Sequence, residues 1–104
     1  KIVKAADAGD AKAQLEFGLM WDKGYWLWQD DERAVKWWKK SAEQGYMKAQ
    51  MLMGSVYLGG VKVEKDLKKA DEWFDMAIES DATVIDAVNA LKAFAISVQQ
   101  KEKE

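Results

Sequence analysis

The chain has 104 residues, 49% hydrophobic and 33% charged, with 16 basic and 18 acidic side chains for a formal net charge of −2. That length holds a single domain with a real core, and the charge, balanced and never gathered into a long block, gives no electrostatic footprint for nucleic acid or a membrane surface. Cys and His are both absent, which removes disulfides, thiol nucleophiles, thiolate and imidazole metal ligands and the usual general base. No apolar run approaches the roughly 20 residues that cross a bilayer, and no signal-peptide pattern is visible. The first residue is Lys1 rather than Met, read as the start of a processed or trimmed piece, so localisation stays open.

In chain order, IVKAADAG matches the later KKSAEQG, the last turns of a helix. Residues 1–9 are therefore expected to close an incomplete unit whose open end exposes apolar surface available for self-association. Ala13, Phe17, Met20, Trp21 and Gly24 keep a helical stripe over about 11–23. Asp30 is placed to cap a second helix, with Ala34, Trp37, Trp38 and Ser41 on its inner face and Gly45 at its close. The next helices are predicted over about 47–59 and 66–79, the latter capped by Asp66. DATVIDAVNALKAFAISVQQ carries a weaker stripe through Ile85, Val88, Leu91, Ala95 and Val98, and QQKEKE is expected to fray.

The order repeats. Gly9, Ala13, Gln14, Gly18, Gly24, Asp30, Ala34 and Trp37 each recur 36 positions later as Gly45, Ala49, Gln50, Gly54, Gly60, Asp66, Ala70 and Trp73. Trp21 against Tyr57 and Trp38 against Phe74 are conservative matches. A single domain follows, with repeat one at 9–44, repeat two at 45–80, a capping helix at 81–100 and a tail at 101–104. Gly18 and Gly54 stand mid-helix, where glycine costs about 1 kcal/mol relative to Ala, so close approach of a neighbouring helix is expected there. Adding 36 to Gly54 reaches Ala90, which places the last helix as the first helix of a third unit.

The segments AADAGDAKAQLEFGLMWDKG, DDERAVKWWKKSAEQG and KAQMLMGSVYLGG resemble Sel-one-like repeats, relatives of the tetratricopeptide repeat. The marks are AKAQ, the central Gly with an aromatic three residues on, the Gly ending the first helix, Asp-x-x-x-Ala-x-x-Trp and AEQG. The resemblance covers about residues 5–80. Departures are the Tyr-Trp-Leu-Trp connection, KAQM without its first small residue and the atypical last helix. It implies an all-α fold, a right-handed α-solenoid of helix-turn-helix repeats whose first helices line a concave face. It also implies a non-enzymatic adaptor, scaffold or inhibitor without cofactors, whose partner is another protein or peptide, and a bacterial periplasm or envelope as one setting. Some bacterial relatives neutralise toxins, so an immunity protein is a special case.

The connections set Tyr25, Trp26, Leu27 and Trp28 against Val61, Lys62, Val63 and Glu64. Tyr25 and Leu27 sit where both units are apolar and are expected to anchor the connection. Trp26 and Trp28 replace Lys and Glu, exceed what a solvated connection needs, and are binding candidates, the alternative being that they pack on their own helices. Trp37, Trp38, Trp73 and Phe74 are read as core, with Trp21 and Tyr57 beside them. On the first helices, Leu15, Leu19 and Asp22 form one line and Met51, Ser55 and Leu58 its counterpart, flanked by Glu16 and Leu52. These positions differ between units while core positions agree, as a specialised surface would; a partly solvated face with scattered Leu is the plainer reading. Glycan or cell-wall binding by Trp26 and Trp28 is the alternative function. An enzyme would need a carboxylate pair or Lys, and Glu16 and Asp22 are not paired by their spacing.

Overall fold

Aspartates start four of the elements. Asp10, Asp30, Asp66 and Asp81 each adopt extended backbone and accept a hydrogen bond from an N–H two or three residues on, at 2.9–3.0 Å. This satisfies donors that a helix leaves open at its first turn. The computed structural model describes residues 2–24 and 29–103, with side chains to residue 98. Among them run α1 (Ile2–Asp7), α2 (Ala11–Lys23), α3 (Asp31–Glu43), α4 (Met47–Gly59), α5 (Leu67–Ser80), a 3-10 turn (Ala82–Val84) and α6 (Ile85–Lys103). Gly24 and Gly60 end α2 and α4 at φ of 70° and 68°, a left-handed conformation that other residues resist.

Each helix pair closes in the same way twice. The Asp30 N–H donates to the Trp21 carbonyl at 3.0 Å and the Asp66 N–H to that of Tyr57 at 3.1 Å, while each carboxylate caps the following helix. Arg33 then lies 4.7 Å above the Trp21 ring and Lys69 5.4 Å from the Tyr57 ring. Trp21 and Tyr57 are thus half-buried and covered by cations rather than sealed in the core.

The glycines expected to admit a neighbour do so. A Cβ on Gly18 would stand 2.5 Å from Trp38 Cδ1 and 2.9 Å from the Ala34 carbonyl oxygen; one on Gly54 would stand 2.6 Å from Phe74 Cε1. Trp38 and Phe74 are accordingly sealed, at 1% and 0% exposure, whereas Trp37 and Trp73 are half-buried at the edge of the core. Trp37 stacks edge-on against Phe17 with centroids 4.9 Å apart and carries Lys40 over its outer side.

Between units, the glutamine of the repeated AQ pair reaches back. Gln14 Nε2 donates to the Ala6 carbonyl at 3.1 Å and Gln50 Nε2 to the Ala42 carbonyl at 3.3 Å. Both carbonyls belong to the last turn of the preceding helix, where each also accepts the N–H of the closing glycine, Gly9 or Gly45. Ala42, Ala49, Met53 and Val56 join Ala34 and Trp38 in one core cluster across the junction. The result is an α-solenoid of stacked helix pairs measuring 45 × 32 × 17 Å.

The C-terminal helix departs from the expected register. Val88, on the expected stripe, is buried against Ala70 and Phe74 and Leu91 and Ala95 are half-buried, but Ile85 and Val98 are exposed, as is Ala90, the position matched to Gly54. Lys92 takes the inner side instead, 2.8 Å from Asp71 and 5.9 Å from the centre of the Phe74 ring. The 3-10 turn after Asp81 inserts this offset. The helix also continues to Lys103, into the stretch expected to fray.

Gly18→Ala and Gly54→Ala are expected to lower stability by about 1–3 kcal/mol each, because overpacking against a sealed ring outweighs the gain in helix propensity. Urea unfolding measures this. The loss at Gly54 should be less than additive with Phe74→Leu, since the smaller side chain gives the methyl room.

Candidate functional site

The residues expected to form one recognition line are divided by the fold among different environments. Leu15 and Leu19 of α2 and Leu52 of α4 are half-buried against the cluster that joins the two units. Met51 and Leu58 lean instead on the cluster of Ala70, Phe74 and Val88 beneath α6. The Ser55 hydroxyl donates to the Met51 carbonyl one turn back, at 3.0 Å. Glu16 borders a shallow depression with Ile2, Ala5 and Ala13 at the N-terminal end. Met53 is core, at 0% exposure, whereas Met47 and Met51 are half-buried. Trp26 and Trp28, and with them Tyr25 and Leu27, lie outside the described residues.

Asp22 has a partner of its own. Lys62 Nζ lies 2.6 Å from Asp22 Oδ1 and 3.4 Å from Asp31 Oδ1, so the connection of the second unit is tied to both ends of the first. The hydrogen bond to Asp22 holds the Lys62 ammonium above the usual lysine range, against a smaller opposing cost of burial, and Asp31 adds to it. Lys62 is therefore no ordinary solvated connection residue. Nor does the second connection alternate as its sequence suggests: Val63 packs on the core, but Val61 is 87% exposed. The backbone spends its inward positions on Val63 and the lysine, which leaves Val61 turned to solvent.

Val61 belongs to an apolar region that sequence reasoning missed. Between α4, the 61–66 connection and α6 runs a groove of about 380 Å³ lined by Ser55, Leu58, Val61, Leu91, Phe94 and Val98. A smaller hollow of about 210 Å³ continues it past Leu58 and Ala95 to Leu67 and Ile96. Phe94 is 71% exposed, Ile96 56% and Leu67 53%. Two of the ten residues named from sequence, Ser55 and Leu58, reach this groove; its α6 wall was hidden by the false register at Ala90. The usable signal was Phe94 and Ile96 standing off the stripe through Leu91, Ala95 and Val98.

Among the described residues no group of three or more acidic side chains is arranged to hold a metal ion, and no helix is long and apolar enough to cross a membrane. Stacked helical hairpins presenting side chains of their first helices define an α-solenoid repeat protein. A model of the Sel1 repeat matches residues 11–46 and 48–81, more than half of the chain, and the chain belongs to the Sel1 repeat family. Sel1 repeats are in general protein–protein interaction modules. Among solved structures the chain is similar to a Sel1 repeat protein from Oxalobacter formigenes, with 41% identity and a TM-score of 0.69 over 75% of this chain and 31% of that one. It is also similar to c5321, a protective antigen present in uropathogenic Escherichia coli strains that displays an SLR fold, with 34% identity and a TM-score of 0.72 over 76% of this chain and 17% of that one. The chain thus spans about a third and about a sixth of the length of these two relatives. No curated protein sequence gives a significant match.

Lys62→Met should cost about 0.5–1 kcal/mol, the range of a partly exposed ion pair, and the loss should shrink in high salt. Because the folded chain holds the lysine above its unfolded value, the contribution is complete below the ordinary lysine pKa of 10.5 and disappears as pH rises through the folded value. Melting curves of the two proteins are expected to stay apart at neutral pH and converge in strong alkali.

Proposed function

We propose that the chain is a non-enzymatic protein-binding module, taking a partner protein or peptide along the concave face lined by its first helices. The observation that carries this reading is the apolar groove beside Leu58, bordered by the exposed Val61 and Phe94. Exposed apolar patches of this kind mark interaction sites, and bulky side chains in them supply most of the affinity. Leu15, Glu16, Leu19, Met51, Leu52, Ser55 and Leu58 would supply the face, with Trp26 and Trp28 at its edge. Asp22 has a role in joining the units and is a weaker candidate. An immunity protein that occludes a toxin would be a special case. The glycan reading rests on Trp26 and Trp28 alone, and no described residue adds to it.

Affinity capture with the chain as bait, run beside Trp26→Ala/Trp28→Ala and Glu16→Arg/Ser55→Arg, tests the reading. A partner retained at about 1:1 by the parent and weakened at least about tenfold by one pair is expected, since new charge in an apolar contact opposes desolvation. Retention of no protein, or equal retention by all three baits, would sink it.

A further inference from the structure

The two hairpins are built alike but not fastened alike. In the first, two side chains at the end of α3 reach across to α2: the Ser41 hydroxyl donates to the Ala11 carbonyl at 2.6 Å, and Gln44 Nε2 donates to Gln14 Oε1 at 2.8 Å. Gln14 in turn donates to the Ala6 carbonyl, so one chain of hydrogen bonds ties α3 to α2 and α2 to α1. In the second hairpin, 36 residues on, the places of Ser41 and Gln44 are held by Ala77 and Ser80. Ala77 has no hydroxyl to give. Ser80 is exposed, and its side chain makes no hydrogen bond among the described residues.

The difference reaches the second glutamine. Gln50 is 5% exposed, and its Nε2 donates to the Ala42 carbonyl, but its Oε1 is buried with no hydrogen-bond partner among the described residues. The equivalent oxygen of Gln14 has the Gln44 amide. A buried acceptor left without a donor weakens the closed arrangement beyond the loss of the bond itself.

Both differences fall at one end of the hairpin, where α4 begins and α5 finishes. At the other end, α5 is held by the Asp66 N–H on the Tyr57 carbonyl, and at its middle by Phe74 lying on Gly54. Its last turn has only apolar ties to its neighbours, through the sealed Ala77 and through Ile78, which packs on the cluster of Ala70, Phe74 and Val88. The hydrogen bonds of Asp81, which follows, run to Ala77, Thr83 and Val84, all within the same stretch of chain. None of them crosses to α4.

We infer that the last turn of α5, with the 3-10 turn after it, is a latch that opens locally from the start of α4 while the first hairpin stays closed. Local opening selects the segments with the fewest ties, and here the comparison between units names the two ties that are missing. The latch is independent of what the chain binds.

Hydrogen exchange of the intact chain, followed by NMR residue by residue and corrected for intrinsic rates, tests this. Amides of 77–81 should exchange at least about tenfold faster than those of 41–45, and faster than the amide of Met53 in the core of α4. Giving the second hairpin the residues of the first, Ala77→Ser/Ser80→Gln, should slow exchange at 77–81 at least about fivefold and leave 41–45 unchanged, two hydrogen bonds being added. The converse pair, Ser41→Ala/Gln44→Ser, should quicken 41–45 by a similar factor with the circular dichroism preserved. Equal protection of the two stretches in the parent, or exchange of 77–81 at the rate of Met53, overturns the inference. So does an unchanged rate at 77–81 in a folded Ala77→Ser/Ser80→Gln chain. Should that chain lose its helical circular dichroism, the converse pair decides, and no quickening at 41–45 refutes the latch.

Discussion

The fold depends on a ring lying on a glycine. Trp38 occupies the space a methyl would take on Gly18, and Phe74 does so at Gly54, which brings the second helix of each pair closer to the first than any side chain at those positions would allow. The price is two glycines mid-helix, a helix-propensity loss of about 1 kcal/mol each. Burial of a whole aromatic side chain offsets it, at about 1.5–3 kcal/mol for a side chain of that size. Once that distance is set, the alanines at 34, 49, 70 and 77 are forced to be small, and all four are fully or nearly fully buried.

Much of this was legible in the sequence because a repeat is an internal comparison. A residue that recurs at the same offset answers to the same neighbour twice, so glycine, aromatic, capping aspartate and closing glycine were recognisable as structural. The reach of Gln14 and Gln50 to the carbonyls of Ala6 and Ala42 is of the same kind. Positions 36 apart that differ were the ones assigned to binding, and there the inference met its limit. Asp22 differs from Leu58 because it answers to Lys62 in the next unit, a constraint that comparing the units cannot separate from a partner's.

After Asp81 the stripe was read correctly through Val88, Leu91 and Ala95, but the match of Ala90 to Gly54 failed for a physical reason. A stripe with a spacing of three and four allows two neighbouring registers when small residues are frequent, as in DAVNALKAFA. The 3-10 turn at Ala82–Val84 selects the one that buries Val88 and leaves Ala90 outside. That choice turns Phe94 and Ile96 away from the stripe and makes the groove. The surface that best fits a partner thus arises where the repeat pattern lapses.

Lys62 gives the array a direction. Its ammonium belongs to one unit and both of its carboxylate partners to the unit before, so the contact is spelled across the boundary rather than within either hairpin. Hairpins held this way are not interchangeable parts. Transposed, the lysine would lose Asp22 and Asp31, because the unit that carries them would then follow it rather than precede it. This contact therefore marks which unit comes before the other.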